Sequence, residues 1–543
     1  MANTFFGLTI GASGLYASNI SINTTAHNIS NVNTEGYSKQ VANQSANSSI
    51  RVYSNYGTVG TGVGVTSIDQ LRSSYYDTKY WQASTNHGQY ESLEVYAVML
   101  EDYLDEFNLN GFTKEYSNLF NAVNDLHRDP TSAVARNQFM NYAQSICDYF
   151  NTLSTNLSNV QKQANDEVKT TVDAINTIAE EIVSLNQQIN TIEVNGGFAN
   201  DLRDSRALLI DELSKYVNTS IYEKHLGNGA TEFKVFINDQ ELVDTYNYNE
   251  LYTVARENGH RRNASDIDGL YDIKWDNELD FNVYSSTIKG SLKAAVDIRD
   301  GCNEAYEVLG LADEDGNMLT DAEGKIVNVQ DLTQDAYEAY VAAGYEKRLT
   351  IVPEPTFNSD YKGIPYYQAQ FNRFIQSISD SFNNAIIGEG VRVTDIPVEE
   401  LFVSKFKDSY ITASNACINP DILADMSKLP YSYDTSKGVA NVDMVDELLA
   451  IQDKIVINNG TYKDFLASIV SVAAIDGGRI RTFSTTYMNI KDTIDNQRMS
   501  ISGVDEDEEA VDLVRYKEAY NLSSKVISVM QQIYNKLIEE TGV

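Results

Sequence analysis

Near the start of the chain Phe5, Leu8, Ala12, Leu15, Asn19, Ile22, Ala26 and Ile29 fall at alternating steps of three and four. That spacing predicts an amphipathic helix whose seam packs on another helix, with Ser, Asn and Thr on the opposite face. Residues 30–37, Ser-Asn-Val-Asn-Thr-Glu-Gly-Tyr, stop it, because Asn side chains bond to nearby backbone and Gly36 can take positive φ. Residues 41–68 read as a loop with one or two strands, the alternation being clearest at 58–65. Helical spacing returns in Leu93, Ala97, Leu100, Leu104 and Phe107, and after Gly111 in Phe112, Tyr116, Leu119, Val123 and Leu126, until Asp129-Pro130 breaks it. Residues 131–193 contain neither Gly nor Pro and carry an apolar row from Val168 to Ile192, which predicts one very long helix ended by Asn195-Gly196-Gly197. A shorter helix is expected over 201–217.

From about residue 223 the period changes to two, as in Phe233-Lys234-Val235-Phe236-Ile237 before Asn238-Asp239, the pattern of a β-hairpin. A second irregular block, 303–362, contains Asp315-Gly316-Asn317 and Glu323-Gly324-Lys325 as turn candidates. Helix is expected again over 366–387 and from 442 onward. The last segment repeats the opening grammar: Leu513, Tyr516, Tyr520, Ser523, Ile527, Met530, Tyr534 and Leu537 step by three and four. The expected fold is mainly α with β-rich inserted domains, a long-helix bundle built from both chain ends, discontinuous and multidomain.

A lone helix of about 25–30 residues is marginal in water, since most helical stability comes from covering an apolar face. Each end therefore needs a partner. On periodicity alone an intramolecular bundle is the favoured partner, with packing against further subunits as the other choice.

With 543 residues, about two to four domains are expected. A net charge of −36 disfavours nucleic acid and anionic membrane surfaces as partners, and the acids are scattered as on a soluble surface. Cys147, Cys302 and Cys417 have no paired spacing, which argues against a disulfide framework and against zinc. The first basic residue is Lys39 and Gly7 interrupts the early apolar residues, so no Sec-type leader is expected. No run of about 20 apolar residues predicts a membrane span.

Catalytic patterns are missing. His27, His87, His127, His225 and His260 show no HExxH or HxH spacing, and Gly60-Thr61-Gly62-Val63-Gly64 lacks the spacing of a phosphate loop. Asp313, Asp315 and Asn317 begin like a calcium loop, but its sixth position is Met318 and its twelfth Gly324, so a hairpin turn is the better reading. No enzyme, cofactor or metal is expected. Residues 505–509 are acidic, as suits a helix start, with contact to the N-terminal helix or a neighbouring subunit as the second reading of the run.

Residues 28–37, Asn-Ile-Ser-Asn-Val-Asn-Thr-Glu-Gly-Tyr, resemble the signature shared by bacterial flagellar rod, hook and hook-associated proteins, where it follows an amphipathic N-terminal helix. Ser502-Gly503-Val504-Asp505-Glu506-Asp507-Glu508-Glu509, with Tyr516, Ala519, Tyr520 and Val526-Ile527, resembles the C-terminal motif of the hook-associated members. Arg128-Asp129-Pro130 with Ala135-Arg136, and Asn200-Asp201-Leu202-Arg203-Asp204-Ser205-Arg206, are similar to their long-helix region. The likeness covers residues 1–222, 290–300 and 363–543; the β-rich blocks fall outside it. The Tyr-rich C-terminal helix, with Lys517 and Glu518 where amides are usual, and the 303–362 insertion depart from the family pattern.

The resemblance implies a structural subunit that joins hook to filament by assembling with copies of itself into a ring or tube. The implied divisions are a terminal coiled-coil polymerisation domain (1–36 and 510–543), a long-helix bundle (37–222, 289–302 and 363–509), a β-rich outer domain (223–288) and a small inserted segment (303–362). Implied partners are hook protein, a second hook–filament junction protein, and a flagellar export chaperone on the C-terminal helix. Export through the flagellar type III apparatus, without a cleaved signal peptide, to the extracellular flagellum is implied too. The expected assembly residues are Phe5, Leu8, Leu15, Ile22, Asn28, Ile29, Asn31, Val32, Asn33, Thr34, Gly36 and Tyr37 at one end. At the other end they are Gly503, Val504, Leu513, Tyr516, Tyr520, Ile527, Met530 and Leu537. Rival readings are another axial protein of hook or rod type, or a secreted adhesin or enzyme whose activity lies in 223–362. The long helix over 131–193 and the Ser502-Gly503-Val504-Asp505 motif favour the junction subunit.

Overall fold

The computed structural model describes residues 6–51, 57–104, 111–227, 229–257, 261–263, 265–302, 306–313, 317–320, 326–327, 332, 334–352, 361–388, 398–406, 410–455 and 460–541. Phe5, Phe107, His260 and, from the two turn candidates, 315, 316 and 323–325 lie outside the described residues. Helix α1 (Phe6–Ser30) leads into strands β1 (Gln40–Ala46), β2 (Ile50–Arg51), β3 (Thr58–Val59) and β4 (Val63–Gln70). Helices α2 (Ser74–Leu104), α3 (Phe112–Arg128), α4 (Ala133–Val194) and α5 (Asn200–Tyr216) follow. Next come strands β5 (Thr219–His225), β6 (Thr231–Ile237), β7 (Gln240–Asp244), β8 (Asn247–Tyr248), β9 (Leu251–Ala255) and β10 (Tyr271–Trp275). Helix α6 (Ser291–Asp300), β11 (Tyr306–Ala312), α7 (Gln334–Ala342), β12 (Glu346–Val352) and α8 (Ile364–Ile387) lie beyond them. The chain ends with β13 (Phe402–Ser404), β14 (Ala416–Ile418), α9 (Pro420–Ala424), α10 (Asp443–Ala450), α11 (Tyr462–Ser502) and α12 (Glu506–Thr541).

The fold is mainly α with β-rich insertions, as the two periodicities predict. Helix α4 runs unbroken for 62 residues, because nothing in it removes a backbone donor or favours a left-handed turn. The early loop holds four strands rather than one or two, and the helical pattern beginning at 442 is interrupted between α10 and α11.

Two compact units, each discontinuous in sequence, make up the chain. The first combines Met1–Gly88, Asp173–Glu250 and Thr486–Val543. In it α1 pairs with α12, and the antiparallel ribbon β1–β4 lies along α1. The sheet β5–β6–β7–β8 also belongs here. Its β6–β7 turn is Asn238-Asp239, both left-handed at φ 48 and 64, the twist a two-residue hairpin needs. Arg206 of α5 lies 3.6 Å from the centre of the Phe233 ring and also binds Glu223, so α5 is fixed to that sheet by stacking and charge together.

The second unit combines Gln89–Val172 and Leu251–Thr485. Its core is aromatic: Phe150 stacks on Phe374 at 5.1 Å, and Phe382 meets Phe402 edge-on at 5.6 Å. All of α6 from Leu292 to Asp300 is buried, so its polar side chains are paired inward. Arg299 binds Asp300 at 2.6 Å and donates to Asn165 of α4 and the Tyr271 carbonyl of β10. The pair β9–β10 belongs to this unit, so the alternating stretch that begins at 223 is divided between two sheets. Of the 313–317 turn, Asn317 donates its backbone N–H to the Asp313 carboxylate at 2.8 Å.

Candidate assembly interface

Helices α1 and α12 meet through small residues on α1. A Cβ placed on Gly7 would stand 2.6 Å from Met530 Cε, one on Gly11 2.8 Å from Ile527 Cγ1, and one on Gly14 2.8 Å from Ser523 Oγ. The numbers ascend on one helix as they descend on the other, so the two run antiparallel. The buried residues of α1 are Gly11, Ala17, Ser18, Ser21, Thr24, Thr25 and Asn28, a stripe without side-chain bulk, which lets the helix axes approach closely. Leu8, Leu15, Ile22 and Ile29, the expected apolar row, sit beside that stripe and are half-buried. On α12, Leu513, Tyr516, Tyr520, Ile527 and Met530 are half-buried, while Leu537 is exposed.

The signature turn closes the other end of this pair. Asn31 donates through its side chain to the His27 carbonyl, and the Thr34 hydroxyl donates to Asn31 Oδ1 at 3.1 Å, which stops α1 as the sequence implies. Gly36 takes φ +76, and Val32 is half-buried while Asn33, Thr34 and Gly36 are exposed. Tyr37 folds back so that its hydroxyl donates to Asn28 Oδ1 at 2.8 Å. The Asn28 amide nitrogen donates to the Gln40 carbonyl and to Glu509 Oε2 at 3.0 Å. Asn28, Gln40 and Glu509, all buried, and the half-buried Tyr37 thus form one cluster that ties α1, β1 and α12 together.

Gly503 and Val504, both half-buried, form the break between α11 and α12. Asp505 caps α12 by accepting from the N–H groups of Asp507 and Glu508 at 2.9 and 3.1 Å. Lys39 crosses to this start, with its Nζ 2.7 Å from Glu508 and 3.0 Å from Glu509 and its backbone N–H donating to the Ser502 carbonyl. Burial lowers the Lys39 pKa, and its bonds to the two glutamates more than reverse this, so it stays above its ordinary value. Burial pushes the Tyr37 phenol up, and Asp201, Asp204 and Glu509 add to this, so it remains a neutral donor. Asp204 is raised by burial and moderated by the Ser38 N–H and by Arg72.

The sequence reading missed Lys39, Gln40 and the three glycines, and held contact of the acidic run 505–509 with the N-terminal helix only as a second reading; Glu509 makes such a contact through Asn28. The spacing of the glycines by four and three was a visible signal. Which residue of the first helix Glu509 would meet, 481 positions away, had none.

A second face of α12 is left open. Leu522 is 61% exposed, Val529 52% and Ile533 49%, with Val511, Val514 and Val526 on the same side. Exposed apolar side chains in line along a helix make this face a candidate contact surface. Among the described residues no helix is long and apolar enough to cross a membrane, and no group of three or more His, Cys, Asp or Glu side chains is placed to hold a metal ion.

A family model described as the helical domain of flagellar hook-associated protein FlgK matches residues 97–320. Flagellar hook-associated protein 1 of Bacillus subtilis (strain 168) is 25% identical over 556 residues, covering 100% of this chain and 99% of that protein. The Escherichia coli (strain K12) protein of the same name is 24% identical, covering 97% of this chain and 98% of its own length. That of Salmonella typhimurium (strain LT2) is also 24% identical, with the same two coverages. The solved structure of the flagellar hook junction protein FlgK from Burkholderia pseudomallei aligns with a TM-score of 0.48 at 15% identity, covering 78% of this chain and 100% of that one. With relatives matching end to end, a family model on its helical region and the flagellar signature at the turn after α1, the chain belongs to the family of flagellar hook-associated protein 1.

Proposed function

We propose that the chain is a structural subunit of the hook–filament junction of the bacterial flagellum, building a ring or tube with copies of itself through α1 and α12. The carrying observation is the open apolar face of α12 beside the glycine-lined seam. Pairing with α1 satisfies one side of α12 only, and each large side chain of the other side would contribute about 1.5–3 kcal/mol if a neighbour covered it.

In this reading residues 1–36 and 510–543 polymerise, 37–222 with 289–302 and 363–509 form the helical body, and 223–288 and 303–362 face outward. The assembly residues are those at the two chain ends named above. Hook protein and a second junction protein are the neighbours along the axis. An export chaperone covers the α12 stripe before assembly, and the subunit leaves the cell through the flagellar type III apparatus to act outside it. The protein catalyses nothing.

Deleting the gene tests this: hooks should form without filaments and flagellin monomers should spill into the medium. Filaments that stay attached in the deletion strain would overturn the proposal. Removing residues 1–37 or 510–543 should abolish attachment but spare any sugar-cleaving or surface-binding activity. A protein whose work lies in 223–362 would lose that activity when 223–288 is removed and keep attachment.

A further inference from the structure

Beside the signature turn lies a groove of about 590 Å³. Leu185, Leu208 and Leu209 line its apolar part, and Leu208 is 37% exposed. Glu35 and Glu181 stand at its edge, both exposed and without an ion pair among the described residues. Asp201, on the same rim, is shared with His27 at 3.3 Å. The groove therefore sets exposed carboxylates beside apolar side chains.

The open stripe of α12 has the complementary make-up. Leu522, Val526, Val529 and Ile533 lie along one line of the helix, and Lys525, exposed and unpaired among the described residues, flanks that line on the side away from α1. The same chain cannot bring the two together. Glu509 is fixed beside Asn28 near the groove, and Lys525 stands 16 residues further along an unbroken helix, about 24 Å away at 1.5 Å per residue.

Resting on the self-assembly reading above, we infer that this groove seats α12 of a second copy, with Leu522, Val526 and Val529 on the leucines and Lys525 at Glu181 and Glu35. Complementary charge at the rim fixes register, and the apolar contact supplies the adhesion. The signature turn then has two roles: it clamps its own chain ends and forms one wall of the seat for the next subunit.

Charge exchange in cells carrying a single gene copy tests the pairing. Lys525→Glu and Glu181→Lys alone should each lower the fraction of hooks bearing filaments by about tenfold, and the double exchange should restore it to within about twofold of the parent. Secreted variants are checked for unchanged helix content by circular dichroism. A Ser184→Cys, Val526→Cys double variant, treated with a bismaleimide on isolated hook–filament structures, should give species of twice the subunit mass that neither single variant gives. Singles that behave like the parent, a double no better than its singles, or an unlinked cysteine pair would overturn the seat. If removal of 510–543 still abolishes attachment, only the seat falls; if attachment survives that removal, the assembly reading itself falls.

Discussion

The side-chain amide of Asn28 donates to the buried carboxylate of Glu509 at 3.0 Å across 481 positions of sequence. All four hydrogen-bonding positions of that amide are used: its nitrogen reaches Gln40 and Glu509, and its oxygen accepts from the Tyr37 hydroxyl and the Gln40 N–H. The first helix, the turn that ends it, the strand that follows and the last helix of the chain therefore share one side chain. A terminal helix pair held this way has a defined angle and register before any neighbour arrives.

Replacing Asn28 by Leu should break this tie. It leaves Glu509, which is 2% exposed, with Lys39 alone and takes the Tyr37 hydroxyl's acceptor away, and each such loss costs about 1–3 kcal/mol. Urea unfolding of the secreted subunit should show a lower midpoint, and hydrogen exchange should speed up first in α1 and the start of α12. Unchanged exchange in both helices would contradict the assigned role.

The glycine seam predicts an asymmetry between two small changes. At Gly7 the atoms a Cβ would meet are the flexible end of Met530, so Gly7→Ala should be absorbed by a rotamer change. At Gly11 it would meet the branched Ile527 at 2.8 Å, with the Ile527 backbone nitrogen at 3.5 Å, so Gly11→Val must push the helices apart. Limited proteolysis should release the terminal helices of Gly11→Val faster than those of Gly7→Ala, and filament attachment should fall in the same order.

These glycines show why hydrophobic periodicity finds only part of the interface. Leu8, Leu15, Ile22 and Ile29 advertise a helix face by hydrophobicity, and periodicity finds it. The face that touches α12 most closely is made of Gly, Ala, Ser and Thr, which look polar or neutral to any hydrophobic pattern and work through their small size. Local features were legible: α4 from a long stretch without Gly or Pro, and the β6–β7 turn from Asn238-Asp239 between alternating strands. The division of the β-rich stretch between two sheets was not, because strand pairing is set by contacts distant in sequence. For the same reason Lys39 gave no sign that it would meet Glu508 and Glu509.

Acid should weaken the grip of α5 on its sheet. Burial pushes the Glu223 carboxyl up, but Arg206 and Arg203 more than offset this and hold it below its ordinary 4.5. A group whose folded pKa is depressed adds stability above its unfolded value and loses it as pH falls through the folded one. Asp204 and Asp211 are raised by burial and act in the opposite sense, so the informative quantity is a difference between proteins. The stability lost on Glu223→Gln should be largest at neutral pH and shrink steadily below pH 4.5, as followed by thermal unfolding in a pH series. A gap that stays constant down to pH 3, well below the ordinary carboxylate range of about 4, would remove charge from the explanation.

Gly36 separates backbone strain from side-chain chemistry at the signature turn. Its φ of +76 is one that Val reaches only with strain of about 1–2 kcal/mol, whereas Asn visits that region readily. A Cβ there would also touch Leu208 at 3.4 Å, an ordinary contact, so space is not the obstacle. Gly36→Val should shift the turn and with it Tyr37, loosening the bond to Asn28 and moving one wall of the groove at Leu208. The secreted subunit should then keep its β-rich regions folded but fail to enter the flagellum, while Gly36→Asn should enter at close to the parental level. Counting filaments per hook by electron microscopy distinguishes the two. If both variants fail equally, the side chain itself is excluded at that surface, and the exposed turn is in direct contact with a neighbour.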